Sequence, residues 1–330
     1  MPAATSPRIG VVLFNLGGPD TLDDVRPFLR NLFSDPEVIG LPFPFRQALA
    51  WWIAVRRAPI ARGYYEQIGG GSPLRRLTAQ QASALEKALG ARGDYKVAVA
   101  MRYWAPSTED AVAELTAYRP DRLVLLPLYP QYSFATTRSS LTHFQRVWGA
   151  RGLPGIPIAT VAQWHDHPGY LAAMAEQIVE TRARMPEGDG SPVHLLYSAH
   201  GIPMSLIDEG DPYQRQIEEG VRLITARLPE WAREPGRVHL AYQSRVGRKK
   251  WLEPAVESML DRLSHEGVTR LLVVPLSFVS DHSETLYEID ILYRDLAGKV
   301  GITGFARMSS LNESPTFIAA LADLVLGACP

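Results

Sequence analysis

Cysteine is almost absent from this sequence: the 330 residues contain one, Cys329, next to the end of the chain. A disulfide framework or a Cys-rich zinc or iron–sulfur site needs several thiols, so the sequence excludes these sites. A chain with so little cysteine fits a reducing compartment best. We therefore expect a cytoplasmic protein.

The sequence also lacks an excess of charge of either sign. It has 34 Lys and Arg against 35 Asp and Glu, a formal net charge of −1, and no block of like charges. Proteins that bind nucleic acid usually carry a clustered positive charge. We therefore expect no nucleic-acid partner, and no feature of the sequence indicates an obligate protein partner.

Long apolar runs are missing as well. No run reaches the length of a transmembrane helix, and residues 1–8 lack the charged and apolar regions of a signal peptide, so we expect no export. The most apolar stretch, residues 41–55, is interrupted by Arg46 and closed by Arg56 and Arg57. Two interpretations carry equal weight: a core helix, or an interfacial or substrate-lip segment. The second permits a peripheral contact with the inner face of the membrane.

Two nucleotide-binding motifs are absent too. The glycine run at 69–71 is not followed by Lys and Ser or Thr, and no G-x-G-x-x-G sequence follows the first apolar run. Both motifs cradle phosphates through backbone amides, so nucleotide binding has no specific support here.

Short apolar, β-branched runs alternate with longer helical patterns along the chain. This alternation predicts an α/β fold of parallel sheets with crossover helices, and a length of 330 residues with 46% hydrophobic content suffices for two domains. Helical patterns cover residues 80–89 and 315–326. The predicted strands are residues 9–14, 96–100, 123–128, 193–197, 238–242, 271–276 and, more weakly, 300–306.

The first six runs form two similar sets of three. The third runs match best, since residues 121–128 and 269–276 share an apolar core and a Pro-Leu ending. The repeat predicts two similar α/β lobes with a cleft between them, and in open parallel sheets ligands bind beyond the carboxyl ends of the strands. Polar residues that follow a strand are therefore the candidates for a site.

His200 directly follows the fourth run, at the position where a side chain would enter the cleft. An imidazole there can act as a base or as a metal ligand. The alternative is a turn histidine that bonds the backbone, and residue pattern alone leaves both open.

Three acids, Asp281, Glu284 and Glu288, follow the sixth run at helical spacing. A capping box explains Asp281 and Glu284 but not Glu288. Acids stacked on one helix face repel one another, which favours a site for cations or protons. Imidazole and carboxylate groups are also suitable ligands for ferrous iron.

Arginine and tyrosine side chains follow strands in the first half of the chain. Arg102 follows the second run and Tyr132 the third, so both are predicted to face the cleft. Core packing is the alternative for the tyrosine.

With these features the sequence resembles the ferrochelatases over nearly its whole length. The motifs that carry the resemblance are Ile-Gly-Gly-Gly-Ser-Pro at 68–73, Tyr-Pro-Gln-Tyr-Ser at 129–133, Ser-Ala-His-Gly at 198–201 and Ser-Asp-His-Ser-Glu-Thr-Leu-Tyr-Glu at 280–288. The resemblance implies two Rossmann-like, chelatase-type lobes, each a parallel sheet flanked by helices, with the active-site cleft between them. It places residues 1–160 and 308–330 in the first lobe, which carries a porphyrin lip at about 40–75, and residues 161–307 in the second.

The resemblance also implies an activity: a lyase that inserts Fe2+ into protoporphyrin IX to form protohaem with release of two protons, the last step of haem biosynthesis. It matches His200 and Glu284 to the family's catalytic pair, which also contacts the metal. The implied porphyrin-binding residues are Leu16, Arg56, Arg57, Tyr65, Ser72, Arg102, Tyr132, Trp251, Phe278 and His282. Fe2+ and the porphyrin are substrates, and we expect no permanently bound cofactor and no iron–sulfur cluster.

The mechanism that this match suggests begins with neutral His200 as the acceptor of porphyrin N–H protons. Glu284 orients the imidazole, while Glu288 and Asp281 form a path that passes protons outward or attracts the dication. Some family members continue this path with a further carboxylate where this chain has Leu292. Whether the path carries protons or iron stays open.

Two other functions stay open. One is a chelatase for coproporphyrin or another tetrapyrrole, whose extra carboxylates would need further cationic partners. The other is a porphyrin-binding protein without chemistry, although a base with several acids would be costly in an apolar carrier site.

Overall fold

The computed structural model describes residues 7–188, 190–245, 247 and 249–329. The chain divides into two compact units: unit 1 comprises Met1–Gln163 and Phe317–Pro330, and unit 2 comprises Trp164–Thr316. The boundaries that we predicted lie after residues 160 and 307.

Unit 1 is built on a four-stranded parallel sheet with the strand order β2-β1-β3-β4. The strands are β1 Arg8–Asn15, β2 Asp94–Met101, β3 Arg122–Pro127 and β4 Ile158–Thr160. The helices are α1 Val25–Phe33, α2 Phe45–Gln67, α3 Leu74–Gly90, α4 Thr108–Tyr118, a π-helical turn at Phe134–Arg138, α5 Ser139–Arg151 and, numbered by its place in the chain, α12 Pro315–Gly327.

Burial on both faces explains why β1 is apolar without alternation. Every residue from Ile9 to Asn15 is buried, as expected for a central parallel strand that helices cover on both sides. One face packs in a cluster that includes Phe14 and Phe144, whose rings meet edge to face at 5.5 Å. The sheet is therefore a rigid base for the residues that follow its strands.

Unit 2 repeats this architecture with a second parallel sheet, ordered β6-β5-β7-β8. The strands are β5 Val193–His200, β6 Val238–Gln243, β7 Arg270–Pro275 and β8 Gly304–Arg307. The helices are α6 Pro168–Arg184, α7 Met204–Asp208, α8 Tyr213–Thr225, α9 Glu230–Arg233, α10 Val256–His265, a π-helix at Glu284–Tyr293 and α11 Arg294–Lys299.

The two units share the repeat that the sequence predicts. In each, the first strand lies between the second and the third, and a π-helical segment follows the third strand. The six strong apolar runs all fall on strands. The weak run at 300–306 becomes β8, which begins at Gly304, while β4 has only three residues and too little apolar pattern to be predicted.

Residues 41–55 lead into α2, a helix with an unusual distribution of side chains. It buries small residues such as Ala50 and Ala54, whereas Trp51 and Trp52 are each 51% exposed. A core helix would bury its largest apolar groups, so the core-helix interpretation is wrong. Among the described residues, no helix combines the length and the apolar character required to cross a bilayer.

Candidate active site

The carboxyl edge of the second sheet brings the predicted site residues together. His200 ends the central strand β5, and its backbone lies in register with Gln243, the last residue of the neighbouring strand β6. The segment after β7 leads into the π-helix that starts at Glu284. Three chain segments distant in sequence therefore meet beside His200, as the parallel order requires.

His200 and Glu284 form a direct pair. The imidazole Nδ1 lies 2.7 Å from Glu284 Oε2, and the two side chains are 36% and 23% exposed. An Nδ1–H that donates to the carboxylate leaves the lone pair on Nε2, at the opposite edge of the ring. Nε2 is then the atom that can accept a proton or meet a metal ion.

The backbone of His200 is held by groups that the sequence did not reveal. Its N–H donates to Ser277 Oγ at 3.1 Å, and its carbonyl accepts from the Tyr213 hydroxyl at 2.9 Å. Tyr213 and Ser277 also contact each other, with 2.6 Å between their oxygens. The end of β5 is therefore fixed on both sides of the imidazole.

The π-helix places Glu284 and Glu288 at one polar group. The Ser244 hydroxyl lies 2.6 Å from Glu288 Oε2 and 3.2 Å from Glu284 Oε2. The Gln243 amide donates to Glu288 Oε2 at 3.0 Å and to the Glu284 carbonyl at 3.1 Å. The capping-box interpretation is thus wrong for Glu284, whose carboxylate accepts from His200 and Ser244.

Asp281 does not join these two carboxylates. Its oxygens accept from Arg307 Nη1 at 2.8 Å and from Asn312 Nδ2 and Thr285 Oγ1 at 3.0 Å each. Burial raises the pKa of Asp281, but Arg307 and the hydrogen bonds lower it more, so the net pKa lies below its ordinary value. The three acids that we expected on one face are therefore separated: Glu284 and Glu288 share Ser244, whereas Asp281 forms an ion pair with Arg307.

The charges of His200, Glu284 and Glu288 shift one another's pKa values. Burial lowers the pKa of His200, but the charges of Glu284 and Glu288 and the hydrogen bond to Glu284 outweigh burial, so the net pKa is raised. The pKa of Glu284 is lowered because His200 outweighs burial, whereas burial and the Glu284 charge raise the pKa of Glu288. Glu288 is therefore the carboxylate that takes up a proton more readily.

Two further predicted residues lie beside the imidazole. The Phe278 ring meets His200 edge to face at 6.3 Å and lies 4.4 Å from the His282 ring. Burial lowers the pKa of His282, and its buried Nδ1 has no hydrogen-bond partner among the described residues. Trp251 forms a bridge with Pro203, in the segment that follows His200.

In unit 1, Arg102 follows β2 and is tied to a buried acid. Its Nη2 lies 2.8 Å from Asp35 Oδ2, which also accepts from the Tyr103 hydroxyl at 2.8 Å. Arg102 and Asp35 line a cavity of about 730 Å³. Arg102 therefore has both a structural partner and access to a cavity of ligand size.

The other predicted porphyrin residues of unit 1 occupy three places. Arg56 and Arg57 lie on α2, with their guanidinium groups over the rings of Trp52 at 5.2 Å and Phe33 at 5.9 Å. Tyr65 is buried near the end of the same helix.

Ser72 donates its N–H to the Pro19 carbonyl at 2.7 Å, which ties the Gly-rich segment to the turn after β1. Leu16 packs against the core within that turn. The Tyr132 ring lies edge-on to Phe134 at 6.2 Å.

Sequence reasoning missed four groups that organise these sites: Gln243, Ser244, Tyr213 and Asp35. Gln243 and Ser244 directly follow the fifth apolar run, so the strand-end argument that selected His200 could have found them. Tyr213 and Asp35 carry no such signal, because they lie within or after helices whose neighbours depend on the fold.

Comparison with known proteins adds independent findings. A model of the family described as Ferrochelatase matches residues 8–328. Proteins named Ferrochelatase from Synechocystis sp. and Gloeobacter violaceus are 50% and 49% identical over 323 residues. The match covers 97% of this chain in both cases, and 82% and 97% of those proteins.

Solved structures share the fold. SirB from Bacillus subtilis with Fe3+ has a TM-score of 0.56 at 12% identity, over 97% of this chain and 95% of that chain. The sirohydrochlorin chelatase SirB from Bacillus subtilis subspecies spizizenii, in complex with cobalt, has a TM-score of 0.52 at 10% identity with the same coverage. At these identities the likeness shows the two-sheet architecture alone.

Proposed function

We propose that His200 and Glu284 carry out the proton removal that metal insertion into a porphyrin needs. The chain belongs to the ferrochelatase family and is a metal-chelating lyase that inserts Fe2+. The observation that supports this assignment is the 2.7 Å contact between His200 Nδ1 and Glu284 Oε2 at the end of β5. A carboxylate that fixes one imidazole nitrogen prepares the other to act as a base.

The proposed chemistry follows from charge balance. Two N–H protons leave the macrocycle as Fe2+ enters. A base that faces one side of the ring and accepts a proton in the transition state lowers the barrier to metal insertion. The protons pass to His200 Nε2 one at a time, and Glu284 stabilises the positive imidazolium; the imidazolium releases the first proton before Nε2 accepts the second. The carboxylate outweighs burial and raises the pKa of His200, which makes the imidazole a stronger acceptor.

We propose porphyrin-binding roles for four of the predicted residues. Arg56, Arg57 and Arg102 offer guanidinium groups for propionates, and Phe278 offers an apolar surface beside the imidazole. We propose protoporphyrin IX as the porphyrin and no permanently bound cofactor. Coproporphyrin, with more carboxylates, is the competing substrate for the experiment to exclude.

The decisive experiment combines purified protein, protoporphyrin IX and Fe2+ under strict anaerobiosis and follows porphyrin fluorescence and haem absorbance. We expect catalytic haem formation by the wild type and none by His200→Ala, with porphyrin affinity within about threefold of wild type. Parallel assays with coproporphyrin test the substrate. Tight porphyrin binding without metallation, or full turnover by His200→Ala, would refute the proposal.

We also propose a peripheral contact of α2 with the inner face of the membrane, in a cytoplasmic protein. Phe43 is 75% and Phe45 67% exposed just where α2 begins, and Trp51 and Trp52 follow on the helix. Arg56 adds positive charge next to these rings. Aromatic groups with adjacent basic side chains favour the interface of an anionic bilayer.

A further inference from the structure

Asp35 is a buried carboxylate in unit 1 whose role the proposed function does not yet include. It lies just after α1, and its side chain is 1% exposed. Its Oδ2 is 2.8 Å from Nη2 of Arg102, the residue that directly follows β2. Aspartate is almost never buried so completely unless it is paired, so the contact with Arg102 explains its position.

Four groups donate hydrogen bonds to the Asp35 carboxylate. Besides Arg102, the Tyr103 hydroxyl at 2.8 Å and the Ser139 hydroxyl at 2.5 Å donate to Oδ2, and the backbone N–H of Glu37 donates to Oδ1 at 2.9 Å. Three of these four donors are neutral. They satisfy much of the acceptor capacity of the carboxylate, so Asp35 does not occupy the whole guanidinium of Arg102.

The Arg102 guanidinium is held at two of its three nitrogens. Nη2 binds Asp35, and Nε donates to Ser139 Oγ at 2.8 Å. Because the Ser139 hydroxyl itself donates to Asp35, the three side chains form a closed ring of contacts. The Tyr103 ring lies beside the guanidinium, with its centroid 5.1 Å from Cζ. These contacts fix the plane of the guanidinium and the direction of its remaining donors.

The third nitrogen, Nη1, has no hydrogen-bond partner among the described residues. Arg102 lines the cavity of about 730 Å³, which lies within unit 1, and its side chain is 16% exposed. A guanidinium held at Nε and Nη2 still has donors for a carboxylate that enters such a cavity.

From these contacts we infer that Asp35 is a positioning residue for the porphyrin: it holds the Arg102 guanidinium so that the donors of Nη1 meet a propionate. The inference rests on the proposed function, in which Arg102 binds a propionate. Asp35 acts through Arg102 and touches no reacting atom. Without Asp35 the arginine side chain regains rotamer freedom, and ordering it again weakens porphyrin binding.

The test measures porphyrin affinity by fluorescence titration without iron, so it does not depend on turnover. The two probes are protoporphyrin IX and its dimethyl ester, which keeps the macrocycle but has no carboxylate. We expect the wild type to bind the acid more tightly than the ester. Asp35→Asn should raise the Kd of the acid about 10-fold and leave the Kd of the ester within about twofold. In turnover assays kcat and the KM for Fe2+ should stay within about twofold, while the KM for the porphyrin rises.

Two further variants test whether Asp35 acts through Arg102. Arg102→Met should raise the Kd of the acid at least as much as Asp35→Asn does. Adding Asp35→Asn to Arg102→Met should cause no further rise, because the guanidinium to be positioned is gone. Ser139→Ala releases Nε but keeps the ion pair, and it should raise the Kd of the acid about threefold. If Asp35→Asn does not fold, an unchanged Kd in Ser139→Ala overturns the inference.

Asp94→Asn is the matched control in the same unit. Asp94, at the start of β2, also pairs with an arginine and a tyrosine: its oxygens lie 3.4 Å from Arg8 Nε and 2.7 Å from the Tyr118 hydroxyl. This variant should bind both probes as the wild type does. Thermal unfolding confirms that each variant folds.

Three results would overturn the role of Asp35. They are an unchanged Kd of the acid in folded Asp35→Asn, a rise that is equal for the acid and the ester, and a further rise when Asp35→Asn is added to Arg102→Met. A wild type that binds the acid as expected but does not metallate it would instead refute the proposed function, while the binding results would still support Asp35 as a positioning residue.

Discussion

Arg307 Nη1 lies 2.8 Å from Asp281 Oδ1, and both side chains are largely buried, with 8% and 14% exposed. Arg307 Nε also binds Asp290 at 2.7 Å, within the π-helix. One guanidinium therefore ties the segment before the π-helix to the helix itself. This fixes the start of the element that carries Glu284 and Glu288.

Replacing Arg307 by Met should destabilise the fold. Of the described groups that bind Asp281, Arg307 is the one that carries a positive charge, so its loss leaves a buried carboxylate without a cation. We therefore expect the free energy of unfolding to fall by about 3–5 kcal/mol. Urea unfolding followed by circular dichroism measures it. Lys299→Met, which breaks an exposed pair with Asp295, is the control and should cost less than about 1 kcal/mol.

The same pair gives a pH dependence. The pKa of Asp281 is lowered in the folded protein, so its stabilisation is present above the ordinary value of 3.8 and is lost as the pH falls through the folded pKa. The difference between wild type and Asp281→Asn should therefore shrink at acid pH. A difference that stays constant down to pH 2 would contradict this assignment.

Glu284→Gln should affect both the rate and its pH profile. Without the carboxylate charge the pKa of His200 falls, so the imidazole is a weaker acceptor, and we expect kcat to drop by about 10²-fold or more. The acid limb of kcat/KM should move to lower pH, because neutral His200 persists further into acid. An acid limb that stays in place would show that another group is responsible for it.

A second histidine pair predicts acid sensitivity away from the candidate site. His194 Nδ1 lies 3.0 Å from His239 Nε2, with an interplanar angle of 4° and ring centroids 5.3 Å apart. The distance between the ring centroids is longer than the N–N distance by about one ring radius on each side. The two parallel rings therefore lie edge to edge in one plane, with the two nitrogens facing each other. Burial, with the charges of His194 and Arg262, lowers the pKa of His239 to about 4.

A lowered histidine pKa makes protonation favour the unfolded chain. Stability is then complete above the ordinary value of 6.5 and declines as the pH falls towards about 4. The expected loss is on the order of 3 kcal/mol over this range. His239→Gln should flatten the decline, whereas His265→Gln, at an exposed histidine, should not. Parallel pH profiles for wild type and His239→Gln would refute the assignment.

The proposed membrane contact predicts a result in vesicle flotation. Wild-type protein should float with vesicles that contain anionic lipid, and Trp51→Ala with Trp52→Ala should lower the floating fraction several-fold. Ile158→Ala removes a 41% exposed apolar residue on β4 and should change nothing. Failure of the wild type to float would reject the contact.

Local pattern predicted much of this protein because parallel strands buried on both faces need continuous apolar runs. Each of the six strong runs became a strand, and the strand ends led to His200 and Arg102. The predicted helix at 80–89 lies within α3, and that at 315–326 within α12. The short strand β4 was not predicted, because its three residues, two of them exposed, carry no distinct apolar pattern.

The sequence by itself determined the elements and the chemistry available at their ends, since both depend on residues near one another in the chain. Only the tertiary structure decided the partners: Asp281 with Arg307 and away from Glu288, and Ser244 between two carboxylates. These choices depend on the order β6-β5-β7-β8, which brings residues some 40 positions apart to one edge of the sheet. Helical spacing in the sequence cannot predict these partners. It shows which residues share one face of a helix, but it does not show which other segments pack against that face.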